Sequence, residues 1–198
     1  MDPAPQIRRR RRRGGDRFGL DIVLGVSAVL ISVISLAVAI HQSQIADKMV
    51  QADTWPYLDF VASNVDDAGH ENVSLTLLNS GVGPAKIESI ELSYDGAPLR
   101  DGGDLLRRCC VPKTAPVSYQ AATVSDRVLP PKEPLVLFSV KPDTLGADAF
   151  AKLDAARSKI RAHVCYCSAL DKCWVRDTTH RRAEDIASCP APKTPFGS

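Results

Sequence analysis

The stretch IVLGVSAVLISVISLAVAI, residues 22–40, constrains this chain more than any other. It runs for 19 residues without a charge, proline or histidine. As a helix it reaches about 28 Å at 1.5 Å per residue, close to the hydrocarbon thickness of a bilayer. Its flanks are unequal. Arg8, Arg9, Arg10, Arg11, Arg12, Arg13 and Arg17 precede it; against Asp2 and Asp16 they leave residues 1–17 at +5, and Asp21 follows them just before the run. His41, Gln42, Ser43 and Gln44 follow it, with Lys48 nearby. The positive-inside rule then places the N-terminus in the cytoplasm and everything after residue 40 across the membrane.

The rival reading is a cleaved signal peptide. Ala37-Val38-Ala39 has the small residues of a cleavage site, so cleavage after Ala39 stays open, but the apolar segment exceeds the usual signal core of about 7–15 residues. Both readings export the rest of the chain. A twin-arginine signal fits less well, because Gly14, Gly15 and Asp16 separate the arginines from the apolar run. The arginines read as a topology determinant resting on anionic lipid. A nucleic-acid tail is the sharper alternative, but no aromatic interleaves them, and residues 41–198 carry a net −2. The expected partner is therefore the lipid bilayer, with no nucleic acid. Within the span, Gly25, Ala28, Ser32, Ser35 and Ala39 recur at spacings of three and four. Such a stripe permits close approach of a second helix, either a partner or another copy.

Beyond the span the period changes. Ile45, Met49 and Ala52 continue a helical spacing through residues 41–54, a stalk, until Trp55-Pro56 breaks it. From Tyr57 a period of two predicts strands over 57–63, 71–79, 85–95, 118–124, 133–140, 159–168 and 172–179. Turn signals separate them: Asp66-Asp67-Ala68-Gly69, Asp95-Gly96, Gly102-Gly103, Pro130-Pro131 and Pro142-Asp143. Phe150, Leu153 and Ala156 predict one short inserted helix over about 144–157. The fold class expected is mainly β: a transmembrane helix, then an antiparallel β-sandwich. The expected divisions are a disordered basic tail (1–17), the span (18–40), the stalk (41–54), the sandwich (55–186) and a flexible proline-rich tail (187–198).

The segment LNSGVGPAKI, residues 78–87, invites a phosphate-loop reading. A phosphate loop needs a helix N-terminus directly after its glycines. Here a strand pattern ending at Asp95-Gly96 follows, and neither the G-x-x-x-x-G-K-[ST] nor the dinucleotide pattern is present. The segment reads as a turn: Asn79 bonds its own backbone, Gly81 and Gly83 supply positive φ, and Pro84 fixes the entry to the next strand.

An apolar strand ending in Asn79-x-Gly81, then Gly83-Pro84-Ala85, an apolar strand and Asp95-Gly96 resembles bacterial immunoglobulin-like domains of the CARDB kind. With the span and Trp55-Pro56-Tyr57-Leu58, the chain resembles bacterial single-pass membrane proteins with an exported β-sandwich. The match covers residues 55–95 well and the remainder by architecture. The resemblance implies an immunoglobulin-like fold and a bacterial inner-membrane location with the C-terminal domain periplasmic or extracellular. It implies no catalytic residues.

Six cysteines, Cys109, Cys110, Cys165, Cys167, Cys173 and Cys189, all lie after the span, in a compartment that permits disulfides. CSALDKC puts Cys167 and Cys173 at the two ends of a five-residue hairpin loop, which pairs them and sets Tyr166 beside Trp174 on the other face. The other four leave connectivity open. A bond between the neighbours Cys109 and Cys110 is strained, so each is expected to reach elsewhere. His163, Cys165 and Cys167 share a strand face, and thiolates suit soft metals, but the spacing fits no common metal signature. No metal or other cofactor is expected. The chain lacks G-x-S-x-G, S-x-x-K and H-E-x-x-H. His41, His70, His163 and His180 are scattered, Asp66-Asp67 and Glu184-Asp185 read as turn and tail charges, and no catalytic residue is named.

These features point to a membrane-anchored envelope protein whose exported sandwich is an interaction or accessory module without catalysis. Its partner would be another membrane or envelope protein, or a second copy meeting it through the span. The alternatives are a periplasmic thiol- or metal-handling protein using Cys165, Cys167 and Cys173, and then an envelope hydrolase.

Overall fold

The computed structural model describes residues 15–124 and 127–197, with side chains from residue 19 onward. Arg8–Arg13 lie outside the described residues, and Arg17 is described only as backbone. The chain divides into two compact units, Met1–Met49 and Val50–Ser198, five residues before the boundary expected at the end of the stalk.

Helix α1 spans Gly15–Asp53 and passes through the stalk residues. Among the described residues it is the one helix long and apolar enough to cross a membrane. Its leucines, isoleucines and valines are exposed, Ile31 by 63%. Thr54 ends it, its Oγ1 and N both donating to the Val50 carbonyl.

The second unit is built from antiparallel sheets. Strands β1 (Leu58–Val65), β2 (Glu71–Asn79) and β6 (Pro134–Val140) form one, in the order β1-β2-β6. The other is ordered β4 (Ala97–Leu99), β3 (Ala85–Tyr94), β7 (Ile160–Cys167), β8 (Cys173–Asp177) and β9 (Glu184–Ile186), with β5 (Arg127–Leu129) also paired to β3. On β2 the alternation is regular: Val73, Leu75, Leu77 and Asn79 are buried and their neighbours only half so. On β3 the buried Ile87 and Ile90 are three apart, and a bulge between Ile87 and Ser89 returns both to the core. A second irregularity opposite Leu75 and Thr76 buries the consecutive Leu137 and Phe138 of β6. One apolar core takes residues from both sheets, from α2 (Gly102–Cys109) and from α4 (Ala147–Ala156).

Several expectations need correction. The chain is not mainly β: helix, at 34%, slightly exceeds strand, at 32%, because α1 alone holds 39 residues. Gly102-Gly103 opens a helix rather than a turn. Asp101 caps α2, its carboxylate accepting from Asp104 N at 2.7 Å, and Leu105 and Leu106 face inward. A Cβ at Gly102 would meet the Tyr119 and Phe138 rings, so glycine is there for packing. Residues 118–124 make no strand, only a single bridge from Gln120 to Ser139. The inserted helix is two: α3 (Pro142–Leu145) and α4, separated by Gly146 at φ +86°. The tail after residue 187 is not loose. Phe196 is buried, its N–H donates to Ile90 O at 2.8 Å, and Lys193 N and Thr194 N both donate to Glu91 Oε1 at 2.8 Å.

Candidate functional site

Asn79 ends β2 with its side chain fully buried and all four of its hydrogen bonds made. Nδ2 donates to Gly83 O at 2.8 Å and to Leu129 O at 3.0 Å; Oδ1 accepts from Gly81 N at 3.1 Å and Tyr57 N at 3.3 Å. One amide thus ties the glycine turn, the entry to β1 and the end of β5. Gly81 and Gly83 are not among the glycines with positive φ, which corrects the reason given for them. They are glycines because the backbone of 54–57 presses on them. A Cβ on Gly81 would stand 2.7 Å from the Pro56 carbonyl carbon, and one on Gly83 would stand 2.7 Å from Thr54 Cα. Trp55 O accepts from Val82 N and Gly83 N at 3.0 and 3.2 Å, so these amides are already used. Pro84 leads into β3 rather than into a helix. The segment is a structural turn and offers no anion cradle.

The densest chemistry lies at the β7–β8 hairpin. Cys165 and Cys167 are two apart on β7, so their side chains leave the same face. Cys167 stands opposite Cys173 in the ladder and is bonded to it, with Cα atoms 4.0 Å apart. The tail brings Cys189 to Cys165, with Cα atoms 5.7 Å apart. Cys165 is fully buried, Cys167 and Cys173 nearly so, and Cys189 half-buried. The two disulfides almost touch: Cys167 Sγ and Cys189 Sγ are 3.9 Å apart, and the Cys167, Cys173 and Cys189 sulfurs lie within 4.8 Å of one another. All of these sulfurs are in covalent bonds, so they present no thiolate to a metal in this state.

Cys109 and Cys110 are bonded to each other, against the expectation that each reaches elsewhere. Helix α2 ends at Cys109, and Cys110 has left helical geometry at φ −134°. The pair therefore falls on a turn, where neighbouring side chains can meet, and the other four cysteines satisfy one another.

The opposite, core-facing side of the hairpin holds Tyr166 stacked on Trp174, ring centroids 5.8 Å apart. The Tyr166 hydroxyl and Arg176 Nε are both buried without a hydrogen-bond partner of good geometry. Burial pushes the Tyr166 phenol up to about 12, the nearby Leu58 backbone opposing the shift only in part. Asp177 feels opposing effects. Burial raises its pKa, but hydrogen bonds from Thr179 Oγ1, Thr179 N and His163 outweigh this and hold it below the usual carboxylate value.

The histidines of this unit each stand near an acid. His163 Nδ1 is 3.5 Å from Asp177 Oδ2, His70 Nδ1 is 3.4 Å from Asp66 Oδ2, and His180 Nδ1 is 3.2 Å from Glu184 Oε1. Among the described residues none of these pairs includes a hydroxyl or thiol bonded to the imidazole, so none forms a nucleophile–base arrangement. His41 and the stripe Gly25, Ala28, Ser32, Ser35 and Ala39 lie exposed on α1; a Cβ on Gly25 would meet nothing beyond its own helix backbone within 4 Å, and Ser32 Oγ donates to Ala28 O at 2.8 Å. A broad groove of about 740 Å³ crosses the β1-β2-β6 sheet between Val61, Thr76, Gln120 and Val136. Comparisons with protein-family models, curated proteins and solved structures return no match.

Hairpin spacing alone pairs Cys167 with Cys173. No local pattern marks the return of Cys189 to Cys165, or the hold of Glu91 on the tail. The one signal was a lone cysteine in a segment otherwise without structure.

Proposed function

We propose that this is a single-pass envelope protein of the bacterial inner membrane, with residues 22–40 as the span and the N-terminus cytoplasmic. The C-terminal unit is an exported, immunoglobulin-like sandwich that works by contact rather than turnover. It binds another membrane or envelope protein, or a second copy through the small-residue stripe. One observation carries the reading: a helix whose apolar residues are all left uncovered shares a chain with a unit in which no described cysteine is free. An apolar helix of this kind is at home in lipid, and full disulfide pairing belongs to an oxidising compartment. Contact is favoured over catalysis because, among the described residues, none of the three histidine–acid pairs has a hydroxyl or thiol bonded to its imidazole.

The test is a topology reporter fused after Ser198 in the full chain. A reporter that works only after export should be active, and one that works only in the cytoplasm should be silent. The reverse pattern overturns the orientation and the export together.

A further inference from the structure

Two disulfides that staple a domain have no need to meet, yet here their sulfurs are at contact distance on one sheet face. We propose that Cys165, Cys167, Cys173 and Cys189 form a thiol–disulfide exchange centre, charged by an external protein dithiol, in which electrons entering at Cys167–Cys173 pass to Cys165–Cys189. The entry point is the hairpin tip, where the exposed residues 169–172 cover the buried Cys173 and must give way for a donor to reach its sulfur. A thiolate of the dithiol attacks Cys173 Sγ, the Cys167–Cys173 bond breaks, and Cys167 leaves as a thiolate. The second thiol of the donor then displaces Cys173, and the donor departs as its own disulfide, having given up two electrons and two protons. Cys167, deprotonated, attacks Cys189 Sγ across the 3.9 Å gap. The Cys167–Cys189 bond forms, the Cys165–Cys189 bond breaks, and Cys165 takes up a proton. The net change is one external dithiol oxidised and one protein disulfide lost, with Cys165 and Cys173 left as thiols.

Proximity is what makes the second step feasible. A nucleophile held against its target reacts as if at very high local concentration, without diffusion. The exchange also leaves the tail tied down. Cys189 keeps a covalent partner on β7 in either isomer, while the anchor moves two residues along the strand, about 6.6 Å. The other holds on the tail, Glu91 to Lys193 and Thr194 and the buried Phe196, lie beyond the moving bond.

The experiment uses the full chain in detergent. Cys173→Ser leaves Cys167 as a lone thiol beside an intact Cys165–Cys189 bond, so no reductant is needed. The variant is held at mildly alkaline pH, quenched in acid, denatured, labelled with a maleimide at acidic pH and mapped. Thiol at Cys165 and at Cys167 should be within about tenfold of one another, since two bonds of the same kind are exchanging. A Cys167–Cys189 linked peptide should appear at a rate independent of protein concentration. Label confined to Cys167 overturns the proposal. If the variant does not fold, wild-type protein with one equivalent of dithiothreitol decides the matter. Thiols at Cys165 and Cys173 together with a Cys167–Cys189 link support exchange; thiols at Cys167 and Cys173 alone, or no reduction until denaturation, overturn it.

Discussion

In α1, Ile31 is 63% exposed and Leu30 58%, whereas on β2 Leu75 and Leu77 are completely buried. The residue types are the same and the fates are opposite, and the difference lies in the pattern. On β2 the buried Val73, Leu75 and Leu77 alternate with the half-buried Ser74, Thr76 and Leu78, so a single face can be turned inward and closed off. In residues 22–40 no polar face exists to be left in water. Packing one side of such a helix against a domain would still strand the other.

Matched substitutions in the two regions test this contrast. Leu75→Ala should cost about 3–4 kcal/mol, because it empties a fully enclosed site. Leu30→Ala should leave the thermal melt of the sheet unit unchanged. Equal shifts in the two melts, recorded on the full chain in detergent, would mean that α1 is a packed element of the fold. Glycine makes a sharper pair. Gly83→Val drives a side chain into the Thr54 backbone and should cost about 2–3 kcal/mol; Gly25→Val meets open space and should cost the sheet unit nothing. A Gly83→Val protein that melts with wild type would show that the 54–57 segment can move away.

A smaller effect belongs to pH. Unfolded tyrosine titrates near pH 10, and Tyr166 in the fold at about 12. Its folded value is raised, so its contribution is fully present below pH 10 and is lost as the pH climbs to about 12. Over that window the unfolded chain has released a proton that the native one still holds. The loss should be on the order of 2 kcal/mol. Tyr166→Phe should remove it with little harm at neutral pH, because the hydroxyl has no hydrogen bond of good geometry to lose. A variant that falls as steeply as wild type between pH 10 and 12 would place the alkaline loss elsewhere. The smallest expected effect is on α1 itself. Ala28→Leu with Ser35→Leu keeps the helix lipophilic but fills the small-residue stripe, and should lower cross-linking yield in native membranes without changing the melt of the sheet unit. Unchanged yield would return the stripe to a lipid-facing role and move the contact site to the sheets.

What the sequence by itself determined here is whatever depends on local period and local spacing. The uncharged run, the alternation of β2, the helical spacing of Phe150, Leu153 and Ala156, and the closeness of Cys167 and Cys173 in a short hairpin all act between near neighbours. Tertiary structure decided whatever needs a distant partner. The Ile87–Ile90 spacing on β3 looks like a broken strand until a bulge against β7 absorbs the extra residue. Gly102-Gly103 looks like a turn until Phe138 and Tyr119, far along the chain, require a bare backbone beside them. Asn79 looks like a turn residue, yet one of its four bonds goes to Leu129, fifty positions away. The tail shows the limit most plainly. Between Ala187 and Gly197 three prolines stiffen the backbone but nothing local anchors it, and its place is set by a bond to Cys165, a carboxylate on Glu91 and a pocket for Phe196. Residues that hold no structure alone can still be ordered when covalent and buried contacts elsewhere offset the entropy of fixing them.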